Sequence, residues 1–125
     1  MKTANQLVVD ANGQIETLAA EEAIKLKDDG NVVFVDLREP GEVEKGSLTG
    51  AVHVPRGLLE FQIDPESPSH NPKLAGKKKL VLYCGSGGRS ALAARTLKDM
   101  GVTNVAHVAG GFPALQKALG GNKPS

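Results

Sequence analysis

The chain has 125 residues, 40% of them hydrophobic and 23% charged, with 15 basic against 14 acidic side chains and a formal charge of +1. That balance argues against a disordered tail and against the basic face of a nucleic-acid-binding protein. No apolar run approaches the ~20 residues of a membrane span, and a single cysteine excludes an internal disulfide and a Cys-rich zinc site.

The size predicts one domain over residues 1–125, with its core over about 6–119 and a flexible tail over 120–125. The N-terminus, Met1 to Gln6, lacks the apolar core of a secretory signal. A lone cysteine fits a reducing compartment, so the expected location is the cytoplasm. Three Phe, one Tyr and no Trp leave little from which to build a base-stacking platform. Neither a nucleic acid nor a membrane is expected as partner.

In chain order, Gln6–Val9 reads as a short edge strand. Thr17 reads as the N-cap of a helix through Leu26, ended by Asp28-Asp29-Gly30, with Gly30 as its left-handed terminal residue. Val32-Val33-Phe34-Val35-Asp36-Leu37 is a continuous apolar run, the pattern of a strand buried on both faces. Arg38 to Glu44 is a loop entering a short helix, Gly50–Pro55 a second short strand, and Leu58–Phe61 a helical turn. Three prolines make 64–72 an irregular loop. Lys77-Lys78-Lys79 leads into a third strand, Leu80–Tyr83. A helix follows from Arg89 to Met100, with Leu92, Ala93, Leu97 and Met100 at helical spacing and Gly101 as its cap. Asn104–Val108 is a fourth strand and Gly110 to Leu119 a last helix. Strands alternating with helices predict an α/β fold of three layers, a parallel sheet with helices on both faces.

The chemistry concentrates in Leu80-Val81-Leu82-Tyr83-Cys84-Gly85-Ser86-Gly87-Gly88-Arg89-Ser90. Open parallel sheets bind ligands beyond the carboxyl ends of their strands, and the cysteine stands there. Glycines let backbone amides converge on one point, and such a nest at a helix N-terminus attracts anions. A thiol at its centre is favoured as the thiolate, the nucleophilic form, and Arg89 adds a permanent charge with a planar fork of donors. The plain alternative is a small buried hydrophobe, but packing gives no reason for Gly-x-Gly-Gly-Arg. Cys84 is therefore the candidate nucleophile, with Gly85, Ser86, Gly87, Gly88 and Arg89 as the substrate and anion cradle.

This loop resembles the Cys-x-x-Gly-x-Arg active-site loop of the rhodanese-like family, matched by Cys84, Gly87 and Arg89. Val35 to Glu42 resembles the family's Asp-x-Arg-Glu element, Gly46 to Pro55 its second signature, and Gly110-Gly111-Phe112 its C-terminal Gly-Gly element. Together they run from residue 18 to 119 in the family's order. The resemblance implies a three-layer rhodanese-like domain and sulfurtransferase chemistry without cofactor or metal. Cys84 takes a sulfane sulfur from a donor such as thiosulfate, becomes a persulfide and passes the sulfur to cyanide, a thiol or a partner protein. The partners implied are a small-molecule sulfur donor and a thiol or protein acceptor. Four residues between Cys84 and Arg89, and Tyr83 in place of histidine, separate the loop from the longer one of related phosphatases and arsenate reductases. A regulatory, redox-sensing thiol is the other reading. Ser47 stands where the second signature usually has histidine, Thr49 where proline is common, and Leu115 near the place of a usual tryptophan.

Asp36 and Arg38 are candidates for lining the pocket, although such a pair more often orders loops by ion pairing. Arg56 follows a strand and is a candidate for reaching an anionic donor. Phe61 and Phe112 are read as core, with a pocket wall as the alternative. Histidines 53, 70 and 107 have no ligand spacing and read as strand or loop residues. The Ser86 hydroxyl is placed to hydrogen-bond a persulfide.

Overall fold

The computed structural model describes residues 1–76 and 78–120. Lys77 and residues 121–125 of the expected tail lie outside them, and Gly120 is the last residue of the final helix. Among the described residues, five strands form one parallel sheet in the order β1-β5-β4-β2-β3. They are β1 (Glu16–Leu18), β2 (Val32–Asp36), β3 (Val52–His53), β4 (Lys79–Tyr83) and β5 (Val105–Val108). The helices are α1 (Ala4–Asn12), α2 (Ala20–Ile24), α3 (Pro40–Glu44), α4 (Leu59–Ile63), α5 (Gly88–Asp99) and α6 (Gly111–Gly120). The α/β architecture expected from the alternation of strands and helices is present.

Alternation along the strands builds two cores. Val35, Leu80, Leu82 and Cys84 point to one face, where they meet Leu59 of α4 and Ala93, Ala94 and Leu97 of α5. Phe34, Val81, Tyr83, Ala106 and Val108 point to the other, against Ala23 of α2 and Phe112 and Leu115 of α6. Leu115 is fully buried without the ring of a tryptophan. Both faces of β4 are covered, so the strand reads as an unbroken apolar run. Truncating Leu82 to alanine in such a core costs about 2–5 kcal/mol.

Two elements differ from the sequence expectation. Gln6–Val9 lies inside helix α1, not in a strand. Thr3 and Gln6 form a capping box, Thr3 Oγ1 accepting from the Gln6 N–H at 3.1 Å and Gln6 Oε1 from the Thr3 N–H at 2.8 Å. Reciprocal capping satisfies two orphan amides and starts the helix. Thr17 is no N-cap: it lies in β1, opposite His107. Helix α2 begins after Ala19, whose N–H donates to Glu22 Oε1 at 3.0 Å. Its end also differs, because Gly30 does not have a positive φ. The Asp29 carboxylate shapes the turn instead, accepting from the Asn31 N–H at 2.8 Å.

The candidate site owes its position to β4. This strand is central, between β5 and β2, and it stops at Tyr83. The next residue, Cys84, stands at the carboxyl edge of the sheet with α5 rising directly from the loop beyond.

Candidate functional site

The loop Cys84–Arg89 folds back on its own sulfur. Gly87 takes φ +108°, in the left-handed region, and turns the chain into α5. A side chain there would be strained. The Gly110-Gly111 turn forms the floor: the Phe112 N–H just after it donates to the Cys84 carbonyl at 2.7 Å. Gly111, at φ +66°, lies so close that a Cβ would collide with the Cys84 carbonyl oxygen and sit 2.8 Å from the Ser86 nitrogen. The Gly110-Gly111 element therefore serves the cysteine loop by close backbone approach.

Cys84 is fully buried. Its Sγ accepts from the Gly87 N–H at 3.1 Å and from the Ser90 N–H at 3.4 Å, and the Ser90 hydroxyl lies 3.5 Å away. Burial alone would push the thiol up. The Ser90 hydroxyl and the amides of Ser90, Ser86 and Gly87 outweigh it and hold the thiol below its ordinary value. Donors converging on one atom stabilise the anion, and hydrogen bonds to a charged acceptor are about twice as strong as neutral ones. The hydroxyl at the sulfur is that of Ser90, whereas Ser86, the residue the sequence suggested for this role, is exposed.

The loop arginine is already engaged. Arg89 donates from Nη1 to Glu42 Oε1 at 2.7 Å and from Nη2 to Glu42 Oε2 at 3.0 Å, a bidentate pair with both side chains partly exposed. The hydrogen bond from Arg89 leads in pulling the Glu42 carboxyl down to about 2, and Glu42 in turn raises Arg89. The pair lies against Gly85, where a Cβ would stand 2.8 Å from Arg89 Nη2 and 3.3 Å from Glu42 Oε2. Beside it opens a cleft of about 310 Å³ lined by Arg38, Glu42, Lys45, Gly85, Phe112 and Gln116.

Asp36 and Arg38 order the adjoining loops. The Arg38 guanidinium forks onto Asp36, Nε at 3.0 Å and Nη2 at 2.8 Å, and also donates to the Gly46 carbonyl at 2.7 Å. Burial pushes the Asp36 carboxyl up, but bonds from Arg38, Ser47 and Tyr83 bring it below its usual value. Ser47 occupies the usual histidine position well: its hydroxyl donates to Asp36 Oδ2 at 2.8 Å and meets the Tyr83 hydroxyl at 3.0 Å. Arg38 also lies 4.2 Å from the centre of the Phe112 ring, so its aliphatic and guanidinium surface forms one wall of the cleft.

Arg56 is used elsewhere. It pairs with Glu60 at 2.8 Å and donates to Thr96 on α5 at 3.3 Å. Phe61 is 58% exposed, so it is neither core nor cleft wall. Phe112 is both buried and part of the cleft. His53 and His70 meet backbone carbonyls, of Arg38 and Gln62. Buried His107 belongs to the site's surroundings: its Nδ1 lies 2.9 Å from Ser90 Oγ. Ser90, His107 and Glu42 are thus the site residues that sequence reasoning missed. A larger hollow of about 730 Å³ lies at the amino ends of β4 and β5, lined by Leu80 and Asn104 among others, away from the sulfur. Among the described residues no group of three His, Cys, Asp or Glu side chains is placed to hold a metal ion, and no helix is long and apolar enough to cross a membrane.

Comparison with known proteins agrees with this geometry. The Rhodanese-like domain model matches residues 19–118. A solved structure from Rhodopseudomonas palustris, of a protein of unknown function described as a possible tyrosine phosphatase, is 45% identical. It superposes with a TM-score of 0.90 and covers 94% of this chain and 92% of its own. The human single-domain sulfurtransferase TSTD1 is 26% identical with a TM-score of 0.68, over 81% of this chain and 95% of its own. A tRNA uridine(34) hydroxylase from Sodalis glossinidius is 35% identical over 97 residues, 76% of this chain but 26% of the hydroxylase. The chain spans about half or less of the length of the first curated relatives it matches. It belongs to the rhodanese-like domain family.

Proposed function

We propose, for this member of the rhodanese-like family, that the chain moves a sulfane sulfur through a persulfide on Cys84. The observation that carries the proposal is the convergence of the Gly87 and Ser90 amides and the Ser90 hydroxyl on one buried sulfur. A thiolate so held is a nucleophile that needs no separate base.

With thiosulfate as donor, the Cys84 thiolate attacks the outer sulfur. A sulfur–sulfur bond forms at Cys84, the donor's own sulfur–sulfur bond breaks, and sulfite leaves with the electron pair. The loop amides then hold the terminal sulfur of the persulfide anion. Cyanide, a thiol or a protein thiolate attacks that sulfur and releases the Cys84 thiolate. Neither metal nor organic cofactor takes part. Gly85, Ser86, Gly87, Gly88 and Arg89 supply the cradle, by backbone rather than by long side chains. Arg89 meets the donor's anionic group only when Glu42 gives way. Asp36 and Arg38 hold the cleft wall, and Arg56 takes no part. A reducing compartment such as the cytoplasm keeps the thiol available between turnovers.

A phosphatase reading has one point in its favour, the description of the R. palustris neighbour. The loop weighs against it, since only four residues separate Cys84 from Arg89, fewer than in the related phosphatases, and the Gly87 and Ser90 amides already bond the sulfur. Intact-protein mass spectrometry after incubation with thiosulfate decides the matter. Wild type gains one sulfur atom, which cyanide removes, and Cys84→Ser gains none. An unmodified wild type whose Cys84 remains reduced and alkylatable would reject thiosulfate as donor. Hydrolysis of an aryl phosphate, lost in Cys84→Ser, would put phosphate in place of sulfur.

A further inference from the structure

A chain of polar groups, buried at Ser90 and His107, runs from the sulfur along the α5 face of the sheet to the N-terminal helix, and none of its members lines the cleft. Ser90 Oγ lies 3.5 Å from Cys84 Sγ and 2.9 Å from His107 Nδ1. On the other side of the imidazole, Nε2 lies 2.8 Å from Asn12 Oδ1 and 3.2 Å from Thr17 Oγ1. Ser90 is fully buried and His107 is 2% exposed, whereas Asn12 and Thr17 are exposed. Burial holds His107 below its ordinary value, so at pH 7 and above the neutral ring carries one proton on one of two nitrogens. Ser90 likewise has one proton and three acceptors in reach, the sulfur, the Gly87 carbonyl at 3.3 Å and Nδ1, which is the nearest.

We infer that His107 is a positioning residue for Cys84: it acts through Ser90, and the order of protons along the chain reverses when the sulfur ionises. The inference rests on Cys84 being the nucleophile. In the thiol state S–H donates to Ser90 Oγ, Oγ–H donates to Nδ1, and Nε2–H donates to Asn12. On ionisation the sulfur's proton passes to Oγ, the Oγ proton to Nδ1, and the Nε2 proton to water at the exposed ends of Asn12 and Thr17. The ring gains no charge, and one proton leaves the protein. In the thiolate state Nδ1–H donates to Oγ, Oγ–H donates to the sulfur anion, and the Thr17 hydroxyl donates to Nε2. A chain of donors aimed at an anion is mutually polarising, and its last bond is charge-assisted. The chain therefore favours the thiolate more than its mirror image favours the neutral thiol. It also gives a fully buried sulfur a route for its proton that does not pass the Arg89–Glu42 pair.

The charged groups nearest the loop are Arg89 with Glu42 and Arg38 with Asp36, and they are kept in every variant. The test follows the full chain through the ionisation of Cys84, by iodoacetamide alkylation rate and by ¹⁵N NMR of the His107 ring. The expected ring carries its proton on Nε2 below the midpoint and on Nδ1 above it. His107→Phe should raise the alkylation midpoint by about half to one pH unit, three- to tenfold in ionisation constant, the worth of one hydrogen bond. His107→Asn, which keeps a polar group toward Ser90, should recover most of that shift. A ring that keeps one tautomer throughout overturns the inference. So does a folded His107→Phe with an unmoved midpoint, or an Asn variant no better than Phe. If His107→Phe does not fold, the wild-type ring spectrum alone decides. No sulfur donor is used, so failure of this chain and failure of the sulfur-transfer reading are seen separately.

Discussion

Two arginine–carboxylate forks stand at the same cleft, and they do different work. Arg38 with Asp36 is buried, with side chains 7% and 0% exposed, and each oxygen of Asp36 has a partner. Arg89 with Glu42 has the same bidentate form but side chains 38% and 39% exposed. The first joins residues two apart at the end of β2, the second joins α5 to α3 across 47 positions. A buried fork cannot open without stranding a charge in a medium of low dielectric. A half-exposed one can exchange its partner for another anion at little cost. Depth thus separates a structural pair from one open to exchange with another anion, although residue type and distance are alike.

The comparison breaks first at the buried fork. Arg38→Ala leaves Asp36 buried without its partner and should cost about 3–5 kcal/mol in urea unfolding at pH 7. The pH dependence identifies the cause. In the wild type the Asp36 carboxyl is lowered, so its contribution is fully present above the unfolded value of ~3.9 and is lost as pH falls through the folded one. Without Arg38, burial raises that carboxyl, and the variant loses stability as pH rises through ~3.9. The gap between variant and wild type should therefore narrow in acid. A gap independent of pH would mean that lost packing on Phe112, not the stranded charge, is responsible.

A smaller effect is expected one step away from the fork. The Tyr83 hydroxyl accepts from the Leu48 N–H at 3.2 Å and meets Ser47. Burial leads in raising its pKa to about 12, so it stays a neutral hydroxyl throughout the working range. Tyr83→Phe orphans a buried amide and should cost about 1–3 kcal/mol, read as a lower unfolding midpoint with unchanged slope. An unaffected midpoint would show that the Ser47 loop relaxes to find another acceptor.

What was legible in the sequence follows the range of the forces involved. Val32–Asp36 and Lys79–Tyr83 announce themselves because strands covered on both faces must be apolar throughout. The loop was legible because its glycines and the Gly110-Gly111 pair have no other use than close backbone approach. Gln6–Val9 misled because its apolar residues are helical in context: the Thr3–Gln6 box and contact with α5 decide its state, and only the box is visible locally. β1 is three residues long with one of them buried, too short to show a period. Ser90 and His107 meet only because Leu82 and His107 are in register on neighbouring strands. A single histidine in an apolar strand carries no mark of its partner. Glu42, on a five-residue helix 47 positions from Arg89, carries no local mark of its partner for the same reason.

The exposed fork gives the finest test, since the expected change in stability is small. Glu42→Gln removes the charge that occupies Arg89 but keeps the shape of the side chain. The loss of a partly exposed pair should cost no more than about 1 kcal/mol. Reactivity should change more, and selectively by the charge of the reagent. Arg89, released from Glu42, presents its fork beside Gly85 to any anion approaching the sulfur, while a neutral reagent gains nothing from it. Alkylation by iodoacetate should therefore accelerate relative to iodoacetamide in Glu42→Gln, and added salt should erase part of the difference, because screening weakens exposed charges. Equal acceleration of both reagents would mean that Glu42 merely covers the sulfur. No change in either would mean that Arg89 stays folded against Gly85 without its partner, leaving the backbone amides as the whole anion site.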